Sequence, residues 1–121
     1  GSVETIDQIN QIPKPIIDIS QSSVLRDLLW SDPAESDEIL GVHANPRGKS
    51  IVSFGSDRVR QFCEKNNIEM IIRSHQCIQH GYEFFSGGHL ITVFSAANYQ
   101  NLKNDGAFLE ISISHQKKLV I

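Results

Sequence analysis

Apolar residues near the start of the chain recur at helical spacing. In VETIDQINQI they stand three positions apart, which predicts a short amphipathic helix that ends at Pro13. In SVLRDLLW they again follow helical intervals, and we expect this second helix to be closed by the SDP stretch at Pro33. The apolar positions of the two predicted helices are Val3, Ile6, Ile9 and Ile12, then Val24, Leu25, Leu28 and Leu29.

The clearest helix is predicted in GSDRVRQFCEKNN. Ser56 is placed to cap its N-terminus, and Asp57 complements the helix dipole there. The asparagines that follow Lys65 suit the helix end. The apolar stripe consists of Val59, Phe62 and Cys63.

The segment 34–50, AESDEILGVHANPRGKS, separates the second and third predicted helices. It is polar, irregular and rich in turn formers, so we predict a long surface loop. Loops of this length are often functional.

The remainder of the chain predicts strands. Met70-Ile71-Ile72 reads as a buried strand, and YEFF and LITVFSA flank Ser86-Gly87-Gly88, which predicts a hairpin. AFLEISIS predicts a last strand, with Ala107, Leu109, Ile111 and Ile113 on one face. Helices followed by strands indicate a mixed α/β chain.

Composition limits the function classes. The 121 residues suit one domain, and the formal net charge of −3 argues against a nucleic-acid partner. No apolar stretch is long enough for a membrane helix. Two cysteines without a CxxC pair favour a reducing compartment, cytoplasmic and/or nuclear. We interpret residues 1–2, Gly-Ser, as a scar left by tag removal.

Several polar residues follow apolar runs, where the ends of strands or helices would gather them along one rim. They are Asp32, Arg47, Arg73 with His75, and Asn98-Tyr99. Arginine suits a phosphate because its planar fork gives parallel hydrogen bonds, and neutral histidine suits a divalent metal. Their spacing alone also fits a polar strand-end histidine, a solvated arginine, a rim tyrosine and a turn-forming aspartate.

The phrases DLLWSDP, GVHANPRGKSIVSFGSD, IRSHQCIQHGYEFF and ITVFSAANY, followed by NDGAFLEI, stand in an order that resembles the phosphoprotein phosphatases. These are metal-dependent serine/threonine protein phosphatases. The resemblance implies that residues 3–121 are the C-terminal part of such a catalytic domain. It also implies half of the calcineurin-like metallophosphoesterase β-sandwich, flanked by helices, and a water activated by two divalent metals (manganese, iron or zinc).

The resemblance also implies roles for individual residues. His75 matches a metal ligand, Arg47 matches the arginine that grips the substrate phosphate, and Tyr99 matches a tyrosine on a loop over the site. Arg47 and Tyr99 are therefore the expected catalytic and phosphate-binding residues. Asp32 and Arg73 match residues that support the site.

Other phrases of the family, GDxHG, GDxVDRG and GNHE, do not occur in this sequence, and they carry most of the metal ligands. One histidine cannot hold two divalent ions, so we expect no stably bound metal and no activity from the 121 residues alone. We call the longer protein that would carry these phrases the parent. Gln100 replaces the usual cysteine after the tyrosine, and Pro46 precedes Arg47, where it restricts the backbone.

Two hypotheses follow. The chain is a piece of a working phosphatase with phosphoprotein substrates and regulatory subunits, or it is a non-catalytic interaction module. Retention of Arg47, His75 and Tyr99 favours the enzyme. Because the family's sandwich core is shared between its halves, this half should expose an apolar strand face. We therefore expect self-association, as an oligomer or a rearranged fold.

Overall fold

The helices and strands follow one another in an order close to that predicted. The computed structural model describes residues 2–16, 18–19, 22–112 and, for the backbone alone, 117–120. These residues form two compact units, Gly1–Glu69 and Met70–Ile121. No helix in these ranges is both long and apolar enough to cross a membrane.

The helices of the first unit are α1 (Ile6–Asn10), α2 (Ser23–Trp30) and α3 (Ser56–Asn66). Thr5 caps α1 in a capping box with Gln8, and Ser22 caps α2 by accepting from the Leu25 N–H. Among the described residues of this unit, the buried apolar side chains are Leu25, Val59 and Cys63. The predicted extent of α2 is confirmed, because the helix comprises SVLRDLLW and ends at Trp30, before Asp32–Pro33, which forms strand β1.

The predicted long loop at 34–50 is wrong in its second half. That part holds strand β2 (Val42–Asn45) and the start of β3 (Gly48–Phe54), which pair antiparallel with a bulge between Ala44 and Asn45. Strand β1 pairs parallel with β3, so the sheet order is β1-β3-β2. The prediction failed because only backbone pairing, and no strong apolar alternation, builds this hairpin.

The N-terminus of α3 also differs from the prediction. Gly55 is the N-cap and Ser56 is the first helical residue, whose Oγ donates to the Asp37 carbonyl at 2.6 Å. A Cβ at Gly55 would lie 2.4 Å from the Ile39 carbonyl oxygen, so a serine has no room at that cap. Asp57 accepts from the Gly41 N–H at 2.7 Å, and this bond lowers the pKa of its carboxyl. The predicted C-terminus is confirmed, with Asn67 left-handed at φ 52°.

The second unit contains β4 (Ile71–Arg73), β5 (Tyr82–Phe85), β6 (Leu90–Val93), β7 (Phe108–Ile111) and β8 (Lys117–Val120). One sheet has the strand order β4-β6-β5, in which β6 is parallel to β4 and antiparallel to β5. Strands β7 and β8 pair antiparallel in a second sheet. The predicted hairpin between β5 and β6 is confirmed, and Ser86, Gly87 and Gly88 all have positive φ in its turn.

The first strand of this unit is less buried than predicted. Ile72 is 49% exposed and Phe84 is 52% exposed, whereas Ile91 between them is fully buried. Strands β4 and β5 are edge strands with a neighbour on one side only. In this row of three side chains, only Ile91 on the central strand β6 is therefore buried. Of the residues 107–114 predicted as the last strand, Phe108–Ile111 form β7; Ala107 just before it is buried, Ile111 is 63% exposed, and Ile113 lies outside the described residues.

Candidate functional site

The Arg47 turn, residues 45–48 between β2 and β3, is tied to strand β1. Arg47 Nε donates to Asp32 Oδ2 at 2.6 Å. The Asp32 side chain is only 8% exposed, whereas the Arg47 side chain is 32% exposed. The parallel pairing of β1 with β3 puts Asp32 opposite Ser53, one strand away from the turn. The structure therefore brings together two predicted site residues that stand well apart in the sequence.

Asn45 is a residue of this site that sequence reasoning missed. Its Oδ1 accepts from the Arg47 N–H at 2.9 Å, which is an Asx turn, and its Nδ2 donates to Asp32 Oδ2 at 3.0 Å. The side chain is almost fully buried. One amide thus fixes both the backbone of Arg47 and the carboxylate that holds its guanidinium. The signal in the sequence was an asparagine two positions before the arginine of a proline-containing turn.

The ion pair leaves part of the Arg47 guanidinium available. Only Nε bonds to Asp32, and in the part of the chain that the structure describes the terminal nitrogens have no hydrogen-bond partner. Two adjacent N–H groups in one plane match two oxygens of a phosphate or carboxylate. Pro46 does not prevent Arg47 from reaching Asp32. The turn can therefore bind an anion with a preoriented cation.

The second unit contains Arg73, the last residue of β4, and His75, two positions later. Arg73 Nη1 donates to Gln76 Oε1 at 2.6 Å and to Thr92 Oγ1 at 3.2 Å, so the guanidinium is bound to its own sheet. His75 is exposed and has φ 86°, a left-handed conformation that is rare for a residue with a side chain. Backbone strain of this kind often accompanies functional positions.

Tyr99 lies in an exposed loop between β6 and β7. Its side chain is 43% exposed, and its ring meets the edge of Phe94 at a centroid distance of 5.3 Å. The Tyr99 N–H donates to Asn104 Oδ1 at 2.8 Å. Asn104 is a second buried amide that the sequence reasoning missed, since nothing in the spacing of NDGA marks it.

The described residues do not fit a metal centre by themselves. Among them, no group of three or more histidine, cysteine, aspartate or glutamate side chains is arranged to hold an ion. A stable divalent site needs several such ligands. The ligand role of His75 stays a prediction, as do the substrate roles of Arg47 and Tyr99 and the supporting roles of Asp32 and Arg73.

Comparisons with known proteins agree on one family. The family model described as calcineurin-like phosphoesterase matches residues 1–79. Serine/threonine-protein phosphatase BSL2 of Arabidopsis thaliana is 48% identical over 109 residues, which make up 89% of this chain and 11% of that protein. A solved protein serine/threonine phosphatase from Saccharomyces cerevisiae, with similarity to human phosphatase PP5, matches with a TM-score of 0.80 at 30% identity. That match covers 92% of this chain and 33% of the yeast chain.

The chain thus spans a minor part of the relatives it matches. The predicted fold class is confirmed, because the mixed α/β arrangement corresponds to part of the yeast phosphatase structure. Sequence and structure lead to the same conclusion: the chain belongs to the calcineurin-like phosphoesterase family, as part of a phosphoprotein phosphatase domain.

Proposed function

We propose that residues 3–121 form part of the catalytic domain of a protein phosphatase that hydrolyses phosphoserine and phosphothreonine. The observation that carries this proposal is the Arg47 turn, in which a buried carboxylate holds one edge of an otherwise available guanidinium. The similarity to serine/threonine phosphatases supports the substrate class. The proposal also includes phosphoprotein substrates, association with regulatory subunits, and a cytoplasmic or nuclear location.

In this proposal Arg47 binds the phosphoryl oxygens. Nε stays on Asp32 while the terminal nitrogens donate to two oxygens of the phosphate, so the cation does not have to reorganise when charge develops on them. Removing one such preorganised donor typically costs about 10²–10³ in kcat. Asn45 and Asp32 hold the arginine in place during the reaction.

Tyr99 would contact the substrate from its exposed loop, and Arg73 would support the segment that carries His75. The family resemblance implies two divalent metals (manganese, iron or zinc), which supply an activated water when bound. His75 would be one ligand, and the remaining ligands would be residues of the parent. We accordingly propose that the 121-residue chain alone has no turnover.

The deciding experiment measures hydrolysis of a small phosphate ester with manganese, by this chain and by the parent. We expect turnover only by the parent, and we expect Arg47→Ala and His75→Ala to abolish it. The matched control is Lys49→Ala, which truncates an exposed cation two positions from Arg47 in the sequence.

Several outcomes would contradict the proposal. Robust turnover by the 121 residues would refute the claim that the chain alone is inactive. A parent that carries the missing motifs but binds no metal and shows no turnover would support the non-catalytic interaction module instead.

We also propose that the isolated chain self-associates through the β4-β6-β5 sheet. Ile72 and Phe84 flank Ile91 in one row of side chains, and both are about half exposed. Sedimentation velocity should detect an oligomer that Phe84→Lys weakens, whereas Lys103→Ala should leave it unchanged. A monomer at all concentrations would contradict this assignment.

A further inference from the structure

The Tyr99 loop, residues 95–106, has an unusual backbone. It is closed at its base, where the Ala107 N–H donates to the Phe94 carbonyl at 3.0 Å. Its left-handed residues are all non-glycine, namely Asn98, Gln100, Asn101 and Lys103. Such a concentration of unfavourable backbone angles persists only where surrounding contacts determine the conformation. Specific contacts must therefore hold this loop in its conformation.

The side chain of Asn104 supplies several of these contacts. Its Nδ2 donates to the carbonyls of Ala96 at 2.9 Å and Asp105 at 2.8 Å, and its Oδ1 accepts from the Tyr99 N–H at 2.8 Å. Both amide protons are thus in use. Asn104 is only 4% exposed, although it lies in a loop whose other residues are mostly exposed. Buried amides with all donors satisfied fix the geometry around them.

The backbone of Asn104 reinforces the same arrangement. Its carbonyl accepts from the Asn98 N–H at 2.9 Å, next to the bond that its side chain makes with Tyr99. Asn98 Oδ1 in turn accepts from the Lys103 N–H at 3.2 Å. The hydrogen bonds of Asn98 and Asn104 therefore connect the two sides of the loop next to Tyr99.

We propose that Asn104 is a positioning residue that sets the orientation of Tyr99 over the substrate. This inference rests on the proposed function, because it assigns Tyr99 to substrate contact. The ring of Tyr99 leans on Phe94, and its backbone is held by Asn104, so the phenol projects from a fixed base. No other standard side chain of this size has two amide protons and an acceptor, so Asp, Ser or Ala cannot replace these bonds.

The first readout is amide hydrogen exchange in the parent, which does not depend on activity. Asn104→Ala should raise the exchange of the Tyr99 amide and its loop neighbours by roughly 10- to 100-fold, the effect of losing a buried hydrogen bond. Exchange in β4, β5 and β6 should not change. Leu102→Ala is the matched control, because it truncates an exposed side chain of the same loop. If Asn104→Ala does not fold, Asn104→Ser takes its place.

The second readout is a double-mutant cycle on kcat/KM of the parent. We expect Asn104→Ala to lower kcat/KM about tenfold, and to have no further effect in a Tyr99→Ala background. A residue that stabilises the domain in general would lower activity equally in both backgrounds. Non-additivity therefore distinguishes positioning from a purely structural role.

The outcomes separate the two proposals. Unchanged loop exchange in Asn104→Ala, or full activity despite increased exchange, or an additive cycle would overturn the role of Asn104. A wild-type parent without phosphatase activity would overturn the proposed function, and the exchange result would still decide whether Asn104 orders Tyr99.

Discussion

The Arg47 turn and the Tyr99 loop use the same device in different ways. Each contains a nearly buried asparagine whose side-chain oxygen accepts a hydrogen bond from a backbone N–H: Asn45 from Arg47, and Asn104 from Tyr99. In the Arg47 turn the asparagine also bonds to a carboxylate, Asp32, which forms the ion pair. In the Tyr99 loop the asparagine Nδ2 donates to backbone carbonyls instead.

The difference follows from the charge of the group to be held. A guanidinium on a flexible side chain needs a counter-charge to stay oriented while no anion is bound, and a buried carboxylate provides it. A neutral tyrosine ring needs only a fixed backbone and an apolar neighbour, which Asn104 and Phe94 supply. The charged Arg47 therefore needs a buried carboxylate, Asp32, in addition to its asparagine, whereas the neutral Tyr99 does not.

We expect the largest effect when the Arg47 guanidinium is replaced by another positively charged group. Arg47→Lys in the parent should lower kcat/KM about 100-fold, because a lysine cannot bond Asp32 and fork onto two phosphate oxygens together. Steady-state kinetics on a small phosphate ester measures this loss. Lys49→Arg, the reverse exchange at an exposed position, should change little. Activity near wild type in Arg47→Lys would show that charge alone suffices.

The two asparagines should differ in what their loss costs. Asn45→Ala removes a partner of the Asp32 carboxylate, so we expect a loss of roughly 2–3 kcal/mol in unfolding free energy, against roughly 1–2 for Asn104→Ala. Bonds to charged groups are the stronger ones. Urea unfolding of the parent variants at neutral pH measures both values. Equal losses of unfolding free energy, or a larger loss for Asn104→Ala, would contradict this comparison.

Acid should affect the first unit through another carboxylate. The Gly41 N–H holds the pKa of Asp57 below its usual range. A lowered folded-state pKa contributes stability that is present above an ordinary aspartate pKa of about 4 and is lost as pH falls through the folded pKa. Asp57→Asn should make urea midpoints of the parent less dependent on pH in this acidic range. An unchanged dependence would remove Asp57 from the explanation.

The smallest effect concerns the two thiols. Cys63 in α3 is 3% exposed, and burial raises the pKa of its thiol. Cys77 in the second unit is partly exposed. A thiol reagent should therefore modify Cys77 at least roughly tenfold faster, because the thiolate is the reactive form. Mass spectrometry of the peptides measures the rates, with Cys77→Ser as the control. Faster labelling of Cys63 would indicate that α3 opens readily.

Part of this molecule could be predicted from local patterns. Apolar spacing was sufficient for α2, for α3 and for the β5–β6 hairpin, because helix periodicity and turn glycines act over a few residues. The order of the family phrases was sufficient for the family, which the comparisons confirm. Arg47 and Asp32 were also named from the sequence, as separate candidates.

The remaining features depend on contacts between distant residues. The β2–β3 hairpin was not predicted because backbone pairing holds a polar segment as a strand. The N-cap of α3 is Gly55 and not the predicted Ser56, at a position where the Ile39 carbonyl leaves no room for a Cβ. The roles of Asn45 and Asn104 follow from burial, which composition does not reveal.

The sequence by itself determined the family, the main helices and which residue types could meet a phosphate. Only the tertiary structure decided that Asp32 holds Arg47, and that a buried amide fixes the Arg47 turn and the Tyr99 loop. The physical reason is that hydrogen bonds and ion pairs depend on distance and burial, and the pairing of β1 with β3 sets both.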